Sequence, residues 1–170
     1  MAGKISIGSV PKGLAPTHVH RQSRALPAVL KAMLKSSNNY ITNQIYLETG
    51  AHELGGAVSL EKSNRVAKKV LGKHRLSKTI QLVEGSGISR SNRFTASGLA
   101  KLLHLFAPHA DLLVKSDSGS MYKTGTLSTV STLAGYAQTR KNGLVRFVIS
   151  LPGNTGRLRF RLLKAIEREL

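Results

Sequence analysis

The spacing of apolar residues changes partway along the chain, across the polar segment 110–120. Before this segment, apolar residues recur at every third or fourth position, which is typical of amphipathic helices. After it, they alternate with polar residues, as in strands that bury one face. Arg140-Lys141-Asn142-Gly143 joins two alternating runs through an Asn-Gly pair, a strong signal for a β-hairpin. Helices followed by an antiparallel meander and a final helix predict an α+β fold.

The bounds of the predicted elements follow from residues that begin or break regular structure. Helices are expected over about 26–34, 40–48, 60–71 and 99–106, and strands over 80–83, 122–127, 132–139 and 144–151. Gly50 is expected to cap the second helix, and Pro108 to stop the fourth. The C-terminal helix is predicted to have an apolar face formed by Leu158, Leu162, Leu163, Ile166 and Leu170. Without repeats or linkers, one domain over residues 1–170 is predicted.

Length and composition set the broad class. A chain of 170 residues with 41% hydrophobic residues is expected to fold around its own core. It has no cysteine, which excludes disulfides and thiolate chemistry. No signal peptide is predicted in this sequence, since its first residues include no long apolar segment, and no apolar run is long enough to cross a bilayer.

The chain is strongly basic, with a net charge of +18 from 26 Lys and Arg against 8 Asp and Glu. Such a surplus favours polyanionic surroundings, such as nucleic acid, anionic lipid or an anionic wall polymer. A basic solvated surface with no dedicated partner is the plainer interpretation. Because the few aromatic residues lie in apolar segments, no specific nucleic-acid partner is predicted.

The tetrapeptide Lys123-Thr124-Gly125-Thr126 lies at the start of the predicted meander. It combines a cation, two hydroxyls and a glycine that lets a ligand approach the backbone. This set suits a carboxylate that lies next to a carbonyl group under attack. A solvated lysine at the end of a strand is the plainer explanation of the same residues.

Two polar segments precede the tetrapeptide. Ser37-Asn38-Asn39 interrupts a helical pattern, and a helix cap alone would explain it. Gly85-Ser86-Gly87 is either a plain turn or part of a site, but not a dinucleotide-binding loop, because the third glycine of that motif is absent. Neither a metal nor another cofactor is predicted, because the candidate histidine ligands are scattered: His18, His20, His104 and His109.

In this order, the three segments resemble the penicillin-binding D-alanyl-D-alanine carboxypeptidases of the S13 peptidase family. The matching stretches are Ser36-Ser37-Asn38-Asn39-Tyr40-Ile41, Glu84-Gly85-Ser86-Gly87-Ile88-Ser89-Arg90-Ser91-Asn92-Arg93, Lys123-Thr124-Gly125-Thr126-Leu127 and Leu133-Ala134-Gly135-Tyr136. Glu84 stands where the family usually has Asp. The resemblance implies the C-terminal part of the peptidase domain, in a β-lactamase/transpeptidase-like fold, with Gly85-Ser86-Gly87 at the edge of the site.

The family uses an activated serine to cleave the terminal D-Ala-D-Ala bond through an acyl-enzyme. The resemblance implies that Ser37 relays a proton toward the leaving amine, and that Asn39 binds the substrate backbone and the nearby lysine. Lys123 would provide positive potential near the substrate carboxylate, which the hydroxyls of Thr124 and Thr126 would contact. The N–H of Thr126 would form half of an oxyanion hole.

The family's nucleophile is the serine of a Ser-x-x-Lys motif at the start of a helix, and this chain contains no credible candidate. Ser59-Leu60-Glu61-Lys62 and Ser120-Met121-Tyr122-Lys123 match formally and are interpreted as chance. The chain is therefore expected to be the C-terminal portion of such an enzyme, inactive alone, with carboxypeptidase and endopeptidase action both open.

The resemblance also implies partners and a location. The partners are peptidoglycan stem peptides ending in D-Ala-D-Ala, β-lactams in the complete enzyme, and the missing N-terminal portion of the same domain. The full-length protein is expected in the cell envelope or periplasm. The alternative is a non-catalytic basic module that binds an anionic wall polymer or nucleic acid.

Overall fold

The computed structural model describes residues 7–9, 11–15, 18–19 and 23–170. Within these residues, a 3₁₀-helix covers Ala107–Leu112 and the α-helices are α1 (Leu26–Ser36), α2 (Asn39–Leu54), α3 (Leu60–Lys73), α4 (Ala96–Phe106) and α5 (Gly156–Glu169). The strands are β1 (Ile80–Gln81), β2 (Arg93–Phe94), β3 (Val114–Lys115), β4 (Met121–Leu127), β5 (Val130–Thr139) and β6 (Gly143–Pro152). The predicted order of helices, antiparallel meander and final helix is confirmed. None of the described helices combines the length and the apolar character needed to span a bilayer.

The sheet is antiparallel and ordered β3-β4-β5-β6, while β1 and β2 pair separately. The hairpin predicted from Asn142-Gly143 joins β5 to β6. Gly143 has a φ of 65°, a conformation that a residue with a side chain would adopt only with strain. The sequence therefore predicted this turn for a sound steric reason.

Both faces of the sheet are covered by helices. On the face covered by α5, β5 and β6 form a cluster with that helix: Leu133, Ala137, Phe147, Ile149 and Leu163. On the opposite face, Tyr136 packs with Leu103 of α4 and with Leu113. Its hydroxyl donates a hydrogen bond to the Leu103 carbonyl at 2.6 Å, so the buried phenol keeps a partner. These two clusters hold the sheet on which the polar segments meet.

One edge of β4 is only partly paired. A two-residue turn, Ser128-Thr129, joins β4 to β5, and the two strands pair along the whole of β4. On its other side, β4 pairs with β3 only at Met121 and Tyr122. Residues 123–127 therefore have no strand partner on that side among the described residues, and we call this stretch the open edge.

The prediction that Gly50 ends the second helix is wrong, because α2 continues to Leu54. Gly50 is buried against α3, where a Cβ atom would lie 2.6 Å from Ser63 Oγ. The glycine allows two helices to approach closely and does not mark a turn. The prediction at Pro108 is confirmed, because α4 ends ahead of it at Phe106.

The apolar face predicted for the C-terminal helix is correct at Leu163 and wrong at Leu158, Leu162 and Leu170. Leu163 is 4% exposed, whereas Leu158, Leu162 and Leu170 are 41%, 38% and 46% exposed. The face toward the sheet contains Arg159, Leu163 and Ile166, at the four- and three-residue spacing of one helical face. Arg159 lies inside because backbone carbonyls of the sheet accept its hydrogen bonds.

Candidate functional site

Ser37 and Lys123 meet although they are 86 positions apart in the sequence. α1 ends at Ser36 and α2 begins at Asn39, so Ser37 lies in a tight connection between two helices. Its φ of 51° and ψ of 48° are left-handed, which costs a residue with a side chain about 1–2 kcal/mol. In this conformation the Ser37 hydroxyl accepts a hydrogen bond from Lys123 Nζ. The fold thus brings the first and third polar segments together.

The environment of Lys123 favours interaction with an anion. Its ammonium is half-buried and also donates to the Thr124 carbonyl at 2.8 Å. Burial lowers the pKa of Lys123 below its ordinary value, and the positive charge of Arg159 lowers it further. No carboxylate of the described residues forms an ion pair with it. The amine therefore has no carboxylate partner among the described residues and holds its proton less tightly than an ordinary lysine.

The two asparagines after Ser37 occupy different positions. Asn38 caps α2, because its Oδ1 accepts a hydrogen bond from the N–H of Ile41 at 2.9 Å. Asn39 is the first residue of α2, and its side chain is exposed. The contact expected between Asn39 and Lys123 is not formed in this structure, and the role of Asn39 stays a prediction.

The segment Gly85-Ser86-Gly87 lies against α2. Asn43 Oδ1 accepts hydrogen bonds from the N–H groups of Gly85 at 2.8 Å and of Ser86 at 3.0 Å. A Cβ atom at position 85 would lie 2.8 Å from Tyr46 Cβ, so the close approach requires glycine. Asn43 follows Asn39 by four residues, which places the loop about one helical turn from it.

Glu84 organises the backbone of this loop. Its carboxylate accepts hydrogen bonds from the N–H groups of Ser86, Gly87 and Ser89 at 2.7, 2.8 and 3.2 Å, and from the side chains of Ser86 and Asn92. Partial burial favours a raised pKa, but these hydrogen bonds outweigh it and hold the pKa of Glu84 below its ordinary value. Glu84 is thus an ionised support of the loop.

Arg90 connects the same loop to the β4–β5 hairpin. Its guanidinium donates to Thr129 Oγ1 at 2.7 Å and to Ser128 Oγ at 2.8 Å. Loop 84–90 therefore spans from α2 to the hairpin turn. The second polar segment borders the same region as the other two.

The side chains of the tetrapeptide lie on both faces of β4. Lys123 extends to Ser37 at the end of α1. Because successive side chains of a strand point to opposite faces, Thr124 and Thr126 lie on the other face, which α5 covers. Thr126 is exposed at the open edge, where its hydroxyl accepts a hydrogen bond from Arg159 at 3.0 Å.

Arg159 contacts the tetrapeptide, and this contact was not predicted from the sequence. Its Nη1 donates to the Gly125 carbonyl at 2.8 Å and to the Thr132 carbonyl at 3.0 Å, in addition to Thr126 Oγ1. Its position four residues before Leu163 was the available signal, because that spacing places both side chains on one helical face. An arginine within an apolar face is more often expected to extend outward to solvent.

The Ser-x-x-Lys matches that begin at Ser59 and Ser120 do not form serine–lysine pairs. Ser59 caps α3 through its Oγ, which accepts from the N–H of Lys62 at 3.2 Å, while the Lys62 ammonium donates to backbone carbonyls. Ser120 is buried and donates to Glu167 at 2.6 Å, whereas Lys123 extends to α1. Neither serine has a lysine amine as its hydrogen-bond partner.

A third formal match, Ser9-Val10-Pro11-Lys12, lies ahead of Ser37. Ser9 and Lys12 are both exposed and outside any helix, and Val10 is not among the described residues. The serine and lysine lack the one-turn helical spacing that brings a hydroxyl to an amine. No nucleophile is assigned to this segment either.

The histidines considered as metal ligands are distributed over separate parts of the chain. His104 lies in α4 and His109 in the 3₁₀-helix, while His20 lies outside the described residues. No three His, Asp or Glu side chains converge within the part of the chain that the structure describes. No metal-binding role is assigned to them.

Comparison with known proteins confirms the resemblance to the S13 peptidase family. The model of the D-Ala-D-Ala carboxypeptidase 3 (S13) family matches residues 1–118. This range includes Ser37-Asn38-Asn39 and Gly85-Ser86-Gly87 and ends ahead of Lys123. The D-alanyl-D-alanine carboxypeptidase DacB of Haemophilus influenzae is 27% identical in an alignment 169 positions long that covers 84% of this chain and 35% of that protein.

Solved structures share the fold. Penicillin binding protein 4 (dacB) of Haemophilus influenzae, crystallised with a novel β-lactam, superposes with a TM-score of 0.73 at 20% identity, over 84% of this chain and 42% of that one. The predatory endopeptidase Bd0816 of Bdellovibrio bacteriovorus, in complex with immunity protein Bd3460, has a TM-score of 0.62 at 24% identity, over 83% of this chain and 43% of that one. The chain thus spans less than half the length of the relatives it matches.

Proposed function

The chain belongs to the D-Ala-D-Ala carboxypeptidase 3 (S13) family, and from this premise we propose that it forms one wall of a serine D-Ala-D-Ala carboxypeptidase site. The reaction is cleavage of the terminal D-Ala-D-Ala bond of peptidoglycan stem peptides through an acyl-enzyme. Endopeptidase cleavage of peptidoglycan is the close alternative, because a predatory endopeptidase has the same fold. A cell-envelope location follows from this substrate.

The contact between Ser37 and Lys123 carries the proposal. In such a relay, the Ser37 hydroxyl gives its proton to the leaving amine and receives another from the Lys123 ammonium. The lowered pKa of Lys123 makes it a better proton donor than an ordinary lysine. Ser37 is held by its backbone in the position that meets Lys123. The two residues therefore form a relay, and Asn39, about one helical turn from loop 84–90, would contact the substrate backbone.

The open edge of β4 supports binding of the carbonyl under attack. In a hairpin with a two-residue turn, the two residues that flank the turn, here Leu127 and Val130, are hydrogen-bonded to each other through both backbone groups. The next pair, Thr126 and Ser131, forms no hydrogen bonds with each other. Thr126 belongs to that next pair, so its N–H is directed away from β5 toward the open edge. Such an N–H donor is worth about 3–4 kcal/mol to a tetrahedral transition state. Thr124, Thr126 and Lys123 would bind the adjacent carboxylate.

The nucleophile is not assigned to any serine of this chain. We expect the chain to bind the substrate and β-lactams without turnover, and to need the N-terminal portion of the peptidase domain for acylation. Labelling with a fluorescent penicillin tests this directly. Covalent labelling that persists in Ser37→Ala but disappears in Ser59→Ala would overturn the expectation.

Substrate binding is tested by recording amide NMR spectra during titration with N-acetyl-D-Ala-D-Ala. The signals of Ser37 and residues 123–126 should shift, and the shifts should disappear in Lys123→Met. Lys115→Met, an exposed lysine on the neighbouring strand β3, is the matched control and should retain them. Equal shifts with N-acetyl-L-Ala-L-Ala, or none with the D-enantiomer, would contradict the proposed function.

The net charge of +18 favours a second candidate, a basic module that binds an anionic wall polymer. Its affinity for a polyanion such as polyphosphate should fall steeply with salt, because binding releases counterions. Lys123→Met and Lys115→Met should then weaken binding to the same small extent. A polyanion affinity that is absent or insensitive to salt would remove this candidate.

A further inference from the structure

Arg159 is a buried cation that forms no ion pair with any carboxylate among the described residues. It is 8% exposed, and its Nε is buried without a hydrogen-bond partner. Burying a charge without a counter-ion is strongly unfavourable. The carbonyls around Nη1 offset part of this cost. An anion bound nearby would offset more of it.

The contacts of Arg159 determine which way a neighbouring hydroxyl donates. A guanidinium has only donors, so Thr126 Oγ1 acts as the acceptor in their 3.0 Å hydrogen bond. The Thr126 hydroxyl therefore directs its own proton elsewhere. Thr126 is exposed at the open edge, and no acceptor for that proton occurs among the described residues. A ligand bound at the open edge could therefore accept this proton.

We propose that Arg159 is a positioning residue for the ligand carboxylate: it orients the Thr126 hydroxyl as a donor toward that carboxylate and adds positive charge behind it. The inference rests on the proposed function, because it concerns the same carboxylate. Lys123 and Arg159 then flank the bound anion from the two faces of β4. The influence of Arg159 on the pKa of Lys123 supports this, since its charge reaches across the strand.

A purely structural role for Arg159 would change ligand binding in a different way. Its hydrogen bonds to Gly125 and Thr132 also join β4, β5 and α5. If that were its only role, its loss would weaken every ligand of the open edge equally. A role in binding the carboxylate requires selective loss of ligands that carry one.

The experiment compares N-acetyl-D-Ala-D-Ala with its C-terminal amide, by NMR titration of the chain. In Arg159→Met, the Kd for the acid should rise about tenfold, and the Kd for the amide by no more than about twofold. Arg159→Lys keeps the charge and should give about a threefold rise for the acid alone. Arg161→Met, at an exposed arginine of the same helix, is the matched control and should leave both Kd values unchanged.

A second readout does not depend on a ligand. The pKa of Lys123, measured from its Cε signal, should rise in Arg159→Met and stay unchanged in Arg161→Met. If Arg159→Met does not fold, the inference is tested with Arg159→Lys, which retains the buried charge. Equal weakening of the acid and the amide in a folded variant would overturn this inference and leave the proposed function intact. Failure of the unmodified chain to bind the acid would overturn both.

Discussion

The two faces of strand β4 are built differently. On the face of Lys123, the half-buried amine contacts the exposed Ser37, and loop 84–90 reaches the neighbouring hairpin turn through Arg90. On the opposite face, Arg159 and Leu163 lie buried against β5 and β6. Around Lys123 the first face is polar and loosely packed, although Met121 of the same strand belongs to the cluster of Leu103 and Leu113. The second face is densely packed. The difference indicates that packing on one face fixes the strand that carries Lys123.

The largest effect that would sharpen this contrast is expected at Leu163. Leu163→Ala should lower the free energy of unfolding by about 2–5 kcal/mol, because the side chain is 4% exposed within an apolar cluster. Urea denaturation followed by circular dichroism measures it. Leu162→Ala, at a neighbouring position that is 38% exposed, is the matched control and should cost much less. Equal losses would remove the contrast between the faces.

The next effect concerns Asn43, which holds loop 84–90 against α2. Asn43→Ala should lower the free energy of unfolding by about 1–3 kcal/mol, because two partly buried N–H groups lose their acceptor. Asn39→Ala, on the same helix with an exposed side chain, should change it by less than about 0.5 kcal/mol. If both variants were neutral to urea denaturation, loop 84–90 would be held by something other than Asn43.

A pH-dependent effect is expected at Glu84. Because its pKa is lowered in the folded state, its stabilising effect is complete above the ordinary pKa of the unfolded chain. That stabilisation is lost as the pH falls through the folded-state pKa. The stability difference between the native chain and Glu84→Gln should therefore be largest near neutral pH and shrink on acidification. Denaturation at a series of pH values measures it, with Glu48→Gln at an exposed position of α2 as the control.

The smallest change in stability is expected at Ser37. Ser37→Gly removes the left-handed strain but makes the unfolded chain more flexible, so the net change should stay within about 0.5 kcal/mol. The same substitution removes the hydroxyl, so the Cε signal of Lys123 should move. A loss above about 2 kcal/mol would place Ser37 among the packed residues and break the comparison.

The sequence indicated the polar segments near Lys123, but it did not indicate the contacts of Arg159 on the packed face. Ser37-Asn38-Asn39 interrupts a helical pattern, and Lys123 stands beside two hydroxyls and a glycine, a set that suits a carboxylate. Asn142-Gly143 was recognised because its turn needs a positive φ. Such requirements are local, so a short stretch of sequence carries them.

The errors lie where distant elements decide the role of a residue. Gly50 resembles a helix cap in the sequence, yet a glycine is needed there because Ser63 of another helix leaves no room for a Cβ atom. Arg159 looks like a solvated side chain, yet carbonyls of two strands accept its hydrogen bonds. Neither partner can be identified from the neighbouring residues in the sequence. The contacts of Arg159 with the tetrapeptide therefore could not be predicted from the sequence.

The two-residue turn Ser128-Thr129 has a consequence for tolerated insertions and deletions. It fixes the register of β4 against β5, and side chains of a strand alternate with a period of two. A slip of one residue would bring Thr124 to Ser37 and direct Lys123 toward Arg159, which places two cations together. A residue added to this turn leaves the two faces unchanged only if a longer loop takes it up; if the strand slips instead, the chemistry of the two faces is exchanged without altering any residue of the tetrapeptide. The length of this turn is as much a determinant of the site as the identity of its side chains.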